Sequence, residues 1–292
     1  MSLASLLTSV ESSLAEAGIP SARAEAEIIT GHVLGLRRTG LYIYGGRDVS
    51  PPDRERVLDL ARRRAARYPL QYITGECEFM SLAFEVREGV FIPRPETEVL
   101  VECVIDKVRA KGAAPRAVLE LGTGSGVISV CLGRALGAES EGSLKIVATD
   151  VSRVAVDTAR ANALGHGVKN LMQFVLGDGI SFLRESGGGG DFDIFVCNPP
   201  YVAASQIEGL EPEVRDHEPR AALDGGEDGL EFMRRIIPAL PSILARGALA
   251  AFEIAPDQGE SVGRLLTGAG AGEVGVVKDL SGRDRVITAR MA

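Results

Sequence analysis

Along residues 2 to about 74, apolar positions recur every three or four residues, the period of helices that bury one face. Leu3, Leu6, Leu7, Val10 and Leu14 form the first stripe. Ser21 stands where an N-cap would start a second helix through Ala24, Ile28, Ile29 and Val33. Ser50-Pro51-Pro52-Asp53 opens a third, through Val57, Leu58 and Leu60. That helix runs into Arg62-Arg63-Arg64 with Arg67, the one dense basic run, which reads as a solvated helix face in preference to a contact with an acidic partner. From Glu76 to Ile92 the period changes to two: Leu82, Phe84 and Val86 alternate with Ala83 and Glu85. This predicts a β-hairpin that Pro93-Arg94-Pro95 ends. A helix then begins at Glu96-Thr97-Glu98 and continues through Leu100, Val101, Val104 and Val108.

Beyond Pro115 the rhythm is strand then helix, repeated. Strands are predicted at 117–121, 145–150, 172–178, 193–198 and 248–254, with helices at 127–136, 153–164, 180–185 and 229–245. Such alternation predicts a parallel sheet covered by helices on both faces. The tail differs: runs 273–280 and 285–290 flank Ser281-Gly282-Arg283-Asp284 and read as a terminal antiparallel hairpin, and Gly187 to Gly190 as a surface loop.

Composition narrows the classes. A chain of 292 residues holds one large α/β domain or a catalytic domain with a small accessory one. A net charge of -8 argues against a partner held mainly through phosphate contacts. Cys77, Cys103, Cys131 and Cys197 are widely spaced with no C-x-x-C, so free thiols are expected. With three histidines, no metal centre is expected. The first helix carries Glu11 and Glu16 and lacks a basic start, which distinguishes it from a secretion signal. No uncharged apolar run is long enough to span a bilayer, and a soluble, cytoplasmic protein is expected.

Candidate chemistry lies at the ends of the predicted parallel strands. Gly122-Thr123-Gly124-Ser125-Gly126 follows the first of them and opens a helix. Its spacing differs from G-x-G-x-x-G, and it lacks the Lys-Ser/Thr ending of a phosphate loop. Asp150 ends the next strand, where a carboxylate accepts the hydroxyls of a ribose or caps the following helix. Asp178 ends the third. A nucleoside cofactor without a pyrophosphate fits these features, S-adenosylmethionine being one. The fourth strand ends in Asn198-Pro199-Pro200-Tyr201. The prolines hold the chain extended. The Asn198 side-chain oxygen and the Pro199 carbonyl are then placed to accept both protons of an NH2 group, and Tyr201 offers a flat face to a planar amide or base.

This ordered set resembles a class I, S-adenosylmethionine-dependent methyltransferase of the N/D-P-P-Y/F type. Within that group the chain resembles the peptide chain release factor glutamine methyltransferases, the PrmC/HemK family, along nearly its whole length. The matching segments are Pro69 to Gly75, Ile92-Pro93-Arg94-Pro95-Glu96-Thr97-Glu98, the glycine loop, Asn198 to Tyr201, Glu218-Pro219-Arg220, Leu223 to Leu230 and Asp279 to Arg285. The Asn-Pro-Pro-Tyr motif alone is shared with adenine-specific DNA methyltransferases.

The resemblance implies a Rossmann-like, mostly parallel seven-stranded sheet with an antiparallel terminal hairpin. It implies a helical substrate-recognition domain over 1–75, a hairpin connector over 76–92 and a methyltransferase domain over 93–292. The implied reaction moves a methyl group from S-adenosyl-L-methionine, leaving S-adenosyl-L-homocysteine, to the side-chain nitrogen of the glutamine in the Gly-Gly-Gln loop of class I release factors. Gly122, Thr123, Gly124, Ser125 and Gly126 would then line the methionine part of the cofactor, Asp150 its ribose, and Asp178 and Gly179 the adenine end. Asn198, Pro199, Pro200 and Tyr201 would form the glutamine pocket, with Asn198, Pro199 and Tyr201 catalytic and Asn198 touching the cofactor too. The family often carries a bulky residue directly after the third-strand acid, against adenine; here Gly179 stands there, and Ile180 is the next candidate to cover the ring. A monomer without direct DNA binding is expected. The rival readings are a methyltransferase for a ribosomal-protein glutamine or for adenine N6 in DNA, a dehydrogenase, and a non-catalytic nucleoside-binding module.

Overall fold

A computed structural model describes all residues except 113, 141, 142, 179, 180 and 182–191. The predicted helix 180–185 apart from Ser181, the loop Gly187 to Gly190 and the positions Gly179 and Ile180 therefore lie outside the described residues. The chain forms two compact units: Met1–Glu76 with Glu211–His217, and Cys77–Leu210 with Glu218–Ala292. Among the described residues no helix is long and apolar enough to cross a membrane.

The smaller unit is helical: α1 (Leu3–Glu16), α2 (Ala22–Leu34), α3 (Arg38–Ile43), α4 (Pro51–Ala65) and α5 (Leu70–Thr74), joined by the helix Pro212–His217 from far along the chain. Leu6, Val10 and Leu14 of α1 bury against Ala26 and Ile29 of α2 and Val57 and Ala61 of α4, as their spacing predicts. Ser50 caps α4 by accepting from Asp53 N at 3.3 Å. Ser21 makes no such cap; its hydroxyl donates to Glu25.

The basic run is a solvated face only in part. Arg64 is buried, donating to Glu25 and, at 2.7 Å, to Glu213; Arg67 pairs with Glu211 and Glu213 at 3.1 and 2.9 Å. Arg62 and Arg63 are exposed, Arg62 pairing with Asp59 and Arg63 lying over the Tyr68 ring. The expectation failed for Arg64 and Arg67, which Glu25 and the remote acids Glu211 and Glu213 draw inward.

The larger unit begins with a hairpin, β1 (Glu76–Phe79) and β2 (Leu82–Glu85), around Met80 and Ser81, both at positive φ. The strands stop at Glu85 because the chain turns at Arg87, whose carbonyl accepts from Val90 N. After α6 (Glu96–Lys111) come β3 (Ala117–Leu121), α7 (Val127–Leu136), β4 (Lys145–Asp150), α8 (Arg153–Gly165), β5 (Met172–Leu176), β6 (Phe192–Cys197), β7 (Leu244–Glu253), β8 (Ala271–Lys278) and β9 (Asp284–Met291). Their order is β5-β4-β3-β6-β7-β9-β8, parallel through β7 and antiparallel at β9 and β8. This is the expected seven-stranded sheet with its terminal hairpin.

Both faces are buried, and strand residues alternate between them. Val118, Ile194, Val196 and Ala251 join one core with α6 and α7. Leu119, Phe195, Cys197 and Phe252 join the other, under the helices Glu231–Ile236 and Gly259–Gly268. The predicted single helix over 229–245 is instead a short α-helix, a 3₁₀ turn over Ile237–Ser242 and the start of β7. Pro238 and Pro241 lack the N–H that a continuing helix needs.

Replacing Arg64 by Ala should leave buried Glu25 without its ion partner and Glu213 with Arg67 alone, destabilising the helical unit by about 3–5 kcal/mol. Arg62→Ala, at an exposed pair, should change stability by under about 0.5 kcal/mol. Urea titration of both variants measures the contrast, and equal shifts would show that burial of the Arg64 pairs is unimportant.

Candidate functional site

The strand order reverses between β3 and β6, the place where open α/β sheets leave a crevice beyond their carboxyl edge. Parallel pairing of Leu121 with Cys197 brings the next residues, Gly122 and Asn198, side by side. A cavity of about 290 Å³ opens there. Gly122 to Ser125, Asp150 and Asp178 form one side of its lining, and Asn198, Pro200 and Thr97 contribute to the other. Gly126, Pro199 and Tyr201 do not line it.

The glycine loop is held from below. Gly124 N donates to Asp150 Oδ2 at 2.9 Å, and Thr123 N donates to the Thr149 carbonyl at 2.9 Å. Gly126, at φ +84°, packs on α8 so closely that a Cβ would stand 2.9 Å from Ala159 Cβ. Asn162 of α8 donates to the Ser125 carbonyl at 2.8 Å and to the Glu85 carbonyl at 2.9 Å, tying loop and hairpin together.

Asp150 does not cap the following helix; Ser152 does, accepting from Ala155 N. Asp150 Oδ1 instead accepts from Ser152 N at 2.8 Å. Each carboxylate oxygen thus holds one backbone donor and keeps capacity for another. Burial pushes its pKa up, and the backbone donors partly oppose that.

Beneath the loop lies Glu120, fully buried in β3. Oε2 accepts from Thr123 Oγ1 at 2.7 Å and from Ser129 Oγ, whereas Oε1 is buried without a partner among the described residues. Burial drives its pKa from an ordinary 4.5 to about 7. A second buried acid, Glu253, ends β7. It accepts from Thr97 Oγ1 at 2.7 Å and from Tyr201 OH at 2.9 Å, and Asn198 Nδ2 donates to Thr97 Oγ1 at 3.1 Å. Burial first, then the Glu253 charge, pushes the Tyr201 phenol up, so it stays a donor.

Remote motifs close around the same place. Glu218 accepts from Arg94 and, at 3.2 Å, from Ile92 N, joining Ile92–Glu98 to Glu218–Arg220. Val202 N donates to the Leu223 carbonyl and Gly225 N to the Val202 carbonyl, which clamps the backbone after Tyr201. A Cβ at Gly225 would stand 2.8 Å from the Pro200 carbonyl oxygen, hence glycine there. Asp279 accepts from Ser281 N, Arg283 N and the Arg285 guanidinium, which shapes the terminal turn.

Sequence reasoning assigned no role to Thr97, Glu120 or Glu253. The available signal was a lone acid inside an apolar strand, in Val118-Leu119-Glu120-Leu121 and Ala250-Ala251-Phe252-Glu253-Ile254.

Comparison with known proteins agrees with this geometry. The family described as PrmC N-terminal domain matches residues 5–75, and the Methyltransferase small domain family matches 84–211. The hMettl16 catalytic domain, solved in complex with an RNA hairpin, superposes at TM-score 0.55 with 17% identity over 85% of each chain. An rRNA methyltransferase of T. thermophilus (RsmC), solved with AdoMet and guanosine, does so at TM-score 0.52 with 18% identity, covering 74% of this chain and 50% of that one. Fold, crevice and matched domain together define a class I methyltransferase.

Release factor glutamine methyltransferases match almost end to end. That of Geobacter sulfurreducens is 41% identical over 278 residues, 95% of this chain and 93% of the relative. That of Chlorobaculum tepidum is 38% identical over 287 residues, 97% and 95%. That of Deinococcus radiodurans is 36% identical over 292 residues, 100% and 99%. The chain belongs to the release factor glutamine methyltransferase family.

Because Glu120 holds a proton more tightly folded than unfolded, its contribution to stability is lost as pH rises from about 4.5 through about 7. Between pH 5 and 8 the protein should lose on the order of 2 to 3 kcal/mol relative to Glu120→Gln. Melting temperatures of the two proteins across that range test this; parallel curves would reject it.

Proposed function

We propose that this protein transfers the methyl group of S-adenosylmethionine to the side-chain amide nitrogen of the glutamine in the Gly-Gly-Gln loop of class I release factors, releasing S-adenosylhomocysteine. The observation that carries the reading is Asn198 in the crevice wall, its Nδ2 engaged by Thr97 and its Oδ1 left without a protein donor among the described residues. That oxygen and the Pro199 carbonyl suit the two protons of a primary amide.

The residues of the crevice fit such a cofactor. Asp150 retains acceptor capacity for two ribose hydroxyls, and the glycine loop presents backbone without side-chain bulk. Asp178 lies farther along the same edge for the adenine end, with Gly179 outside the described residues. When bound, S-adenosylmethionine supplies a sulfonium that makes its methyl carbon strongly electrophilic.

The protein's part is positioning. An amide nitrogen is a weak nucleophile because its lone pair is shared with the carbonyl. Two acceptors on its protons favour a pyramidal nitrogen and hold it in line with the methyl carbon. They also stabilise the positive charge that develops on nitrogen. Pro199 and Tyr201 do not line the cofactor cavity, and on this reading they belong to an amide subsite beside it, with the Tyr201 ring, anchored at its hydroxyl by Glu253, as its flat surface. Asn198 is too weak a base to take the proton, which leaves to water.

The helical unit, residues 1–75, is proposed to recognise the release factor, the hairpin 76–92 to connect, and 93–292 to catalyse. Support for recognition comes from α3, where Tyr42 and Ile43 are 55% and 75% exposed and Tyr44 follows at 37%. The net charge of -8 supports a protein target over direct DNA binding. The proposed setting is a monomer in the cytoplasm.

Asn198→Ala should lower the transfer rate by roughly a hundredfold or more while cofactor affinity falls less. The check is labelled S-adenosylmethionine with intact release factor, the label located by peptide mass spectrometry. Label on DNA, or none on any release factor, would overturn the substrate assignment. Ile43→Asp should raise KM for intact release factor about tenfold and leave cofactor affinity unchanged. An unchanged KM would remove α3 from the recognition surface.

A further inference from the structure

Behind the crevice wall, three hydrogen bonds run in series. Glu253 Oε1 accepts from Tyr201 OH at 2.9 Å and Oε2 from Thr97 Oγ1 at 2.7 Å. Glu253 has no exposed surface and Thr97 is 2% exposed, so water does not compete for either group. A threonine hydroxyl has a single proton, and here the carboxylate holds it. Toward its remaining neighbour the Thr97 oxygen is therefore an acceptor. That neighbour is the Asn198 amide, 3.1 Å away. Only the NH2 end of an amide donates, so this arrangement dictates that Nδ2 faces Thr97. Oδ1 is left on the other side. It receives no hydrogen bond from the described residues and is not sealed from solvent.

On the amide-methylation reading above, we propose that Glu253 is a positioning residue which, acting through Thr97, locks the Asn198 side chain with its oxygen toward the acceptor amide. Were the amide turned over, Nδ2 would meet the substrate NH2, donor against donor, and one of the two grips on the nucleophile would be lost. The same carboxylate fixes the tilt of the Tyr201 ring through its hydroxyl. Glu253 does not touch the reacting atoms and takes no proton from them. Its contribution is to be an acceptor at both oxygens. Glutamine at this position would donate at one end, forcing either the Thr97 or the Tyr201 hydroxyl to reverse. A reversed Thr97 hydroxyl selects the wrong face of Asn198.

The test uses full-length protein and three variants: Thr97→Val, which removes the hydroxyl at nearly constant shape, Thr97→Ser, which keeps it, and Glu253→Gln. Methyl transfer to intact release factor gives kcat and KM. Thr97→Val should lose about ten- to a hundredfold in kcat with KM for S-adenosylmethionine within about threefold, and Thr97→Ser should recover most of that loss. Glu253→Gln should also lower kcat, and it is the second probe where Thr97→Val folds poorly. The independent readout is the Asn198 side-chain NH2 signal in cofactor-loaded protein labelled with nitrogen-15 at asparagine, assigned by its absence in Asn198→Ala. That signal should be protected from exchange in the wild type and Thr97→Ser, and unprotected in Thr97→Val. Wild-type kcat in Thr97→Val, or an equally protected signal there, overturns the proposal. Failure of the wild type on every release factor overturns the substrate reading instead, and the amide signal then decides the orientation by itself.

Discussion

The arrangement depends first on one piece of register, the parallel pairing of β3 with β6 that sets Leu121 against Cys197. Because both strands run the same way, their ends coincide. The glycine loop and the Asn198 turn then begin at the same height on the sheet. A shift of one residue would send Phe195 and Cys197 to the opposite core and turn Asn198 away from the crevice. The alternating cores on the two faces oppose that shift: Ile194 and Val196 are buried on one side, Phe195 and Cys197 on the other. Hydrophobic packing thus acts at the site indirectly, by making a slip expensive.

Around that register the sheet carries two buried carboxylates, and they do different work. Glu120 lies under the glycine loop with two hydroxyls on one oxygen and none on the other. Its burial is only half compensated, which is why its proton affinity rises toward neutrality. Burial pushes the Glu253 pKa up as well, but a hydroxyl on each oxygen and the Arg285 charge nearby oppose that. A buried acid is costly unless its acceptors are used. Here each converts that cost into orientation of neighbours, Thr123 and Ser129 in one case, Thr97 and Tyr201 in the other.

Much of this was legible in the sequence. Period-two strands and period-3.6 helices located the sheet, and strand-terminal Gly122, Asp150 and Asn198 marked the edge where the crevice opens. What was not legible depended on partners distant along the chain. The solvated reading held for Arg62 and Arg63 and failed at Arg64, whose partners Glu25 and Glu213 are 39 and 149 positions away. Thr97 stood inside a quoted motif, yet its partner Glu253 is 156 positions away. The helix over 229–245 failed for a local reason that was readable, since Pro238 and Pro241 forbid it. Local rules therefore placed the elements, while the polar links between them needed the fold.

Turning part of the basic run inward changes the meaning of the overall charge. Arg64 and Arg67 are occupied by Glu25, Glu211 and Glu213 within the helical unit, so they offer little field to an acidic partner. Arg23 and Arg38 are likewise engaged, by Glu11 and Glu27. A chain of net charge -8 has little long-range attraction to spend on nucleic acid. Beside exposed arginines such as Arg37 and Arg56, the helical unit presents apolar and aromatic surface: Tyr42, Ile43 and Tyr44 in succession. Recognition built on such residues relies on close packing and desolvation, which discriminate by shape. That suits an enzyme whose acceptor, a primary amide, is common to every glutamine and asparagine, because the amide alone carries too little information to select one protein. Selection therefore has to come from surface away from the crevice, and the apolar patch proposed for that role would act without competing for the hydrogen bonds proposed to hold the amide.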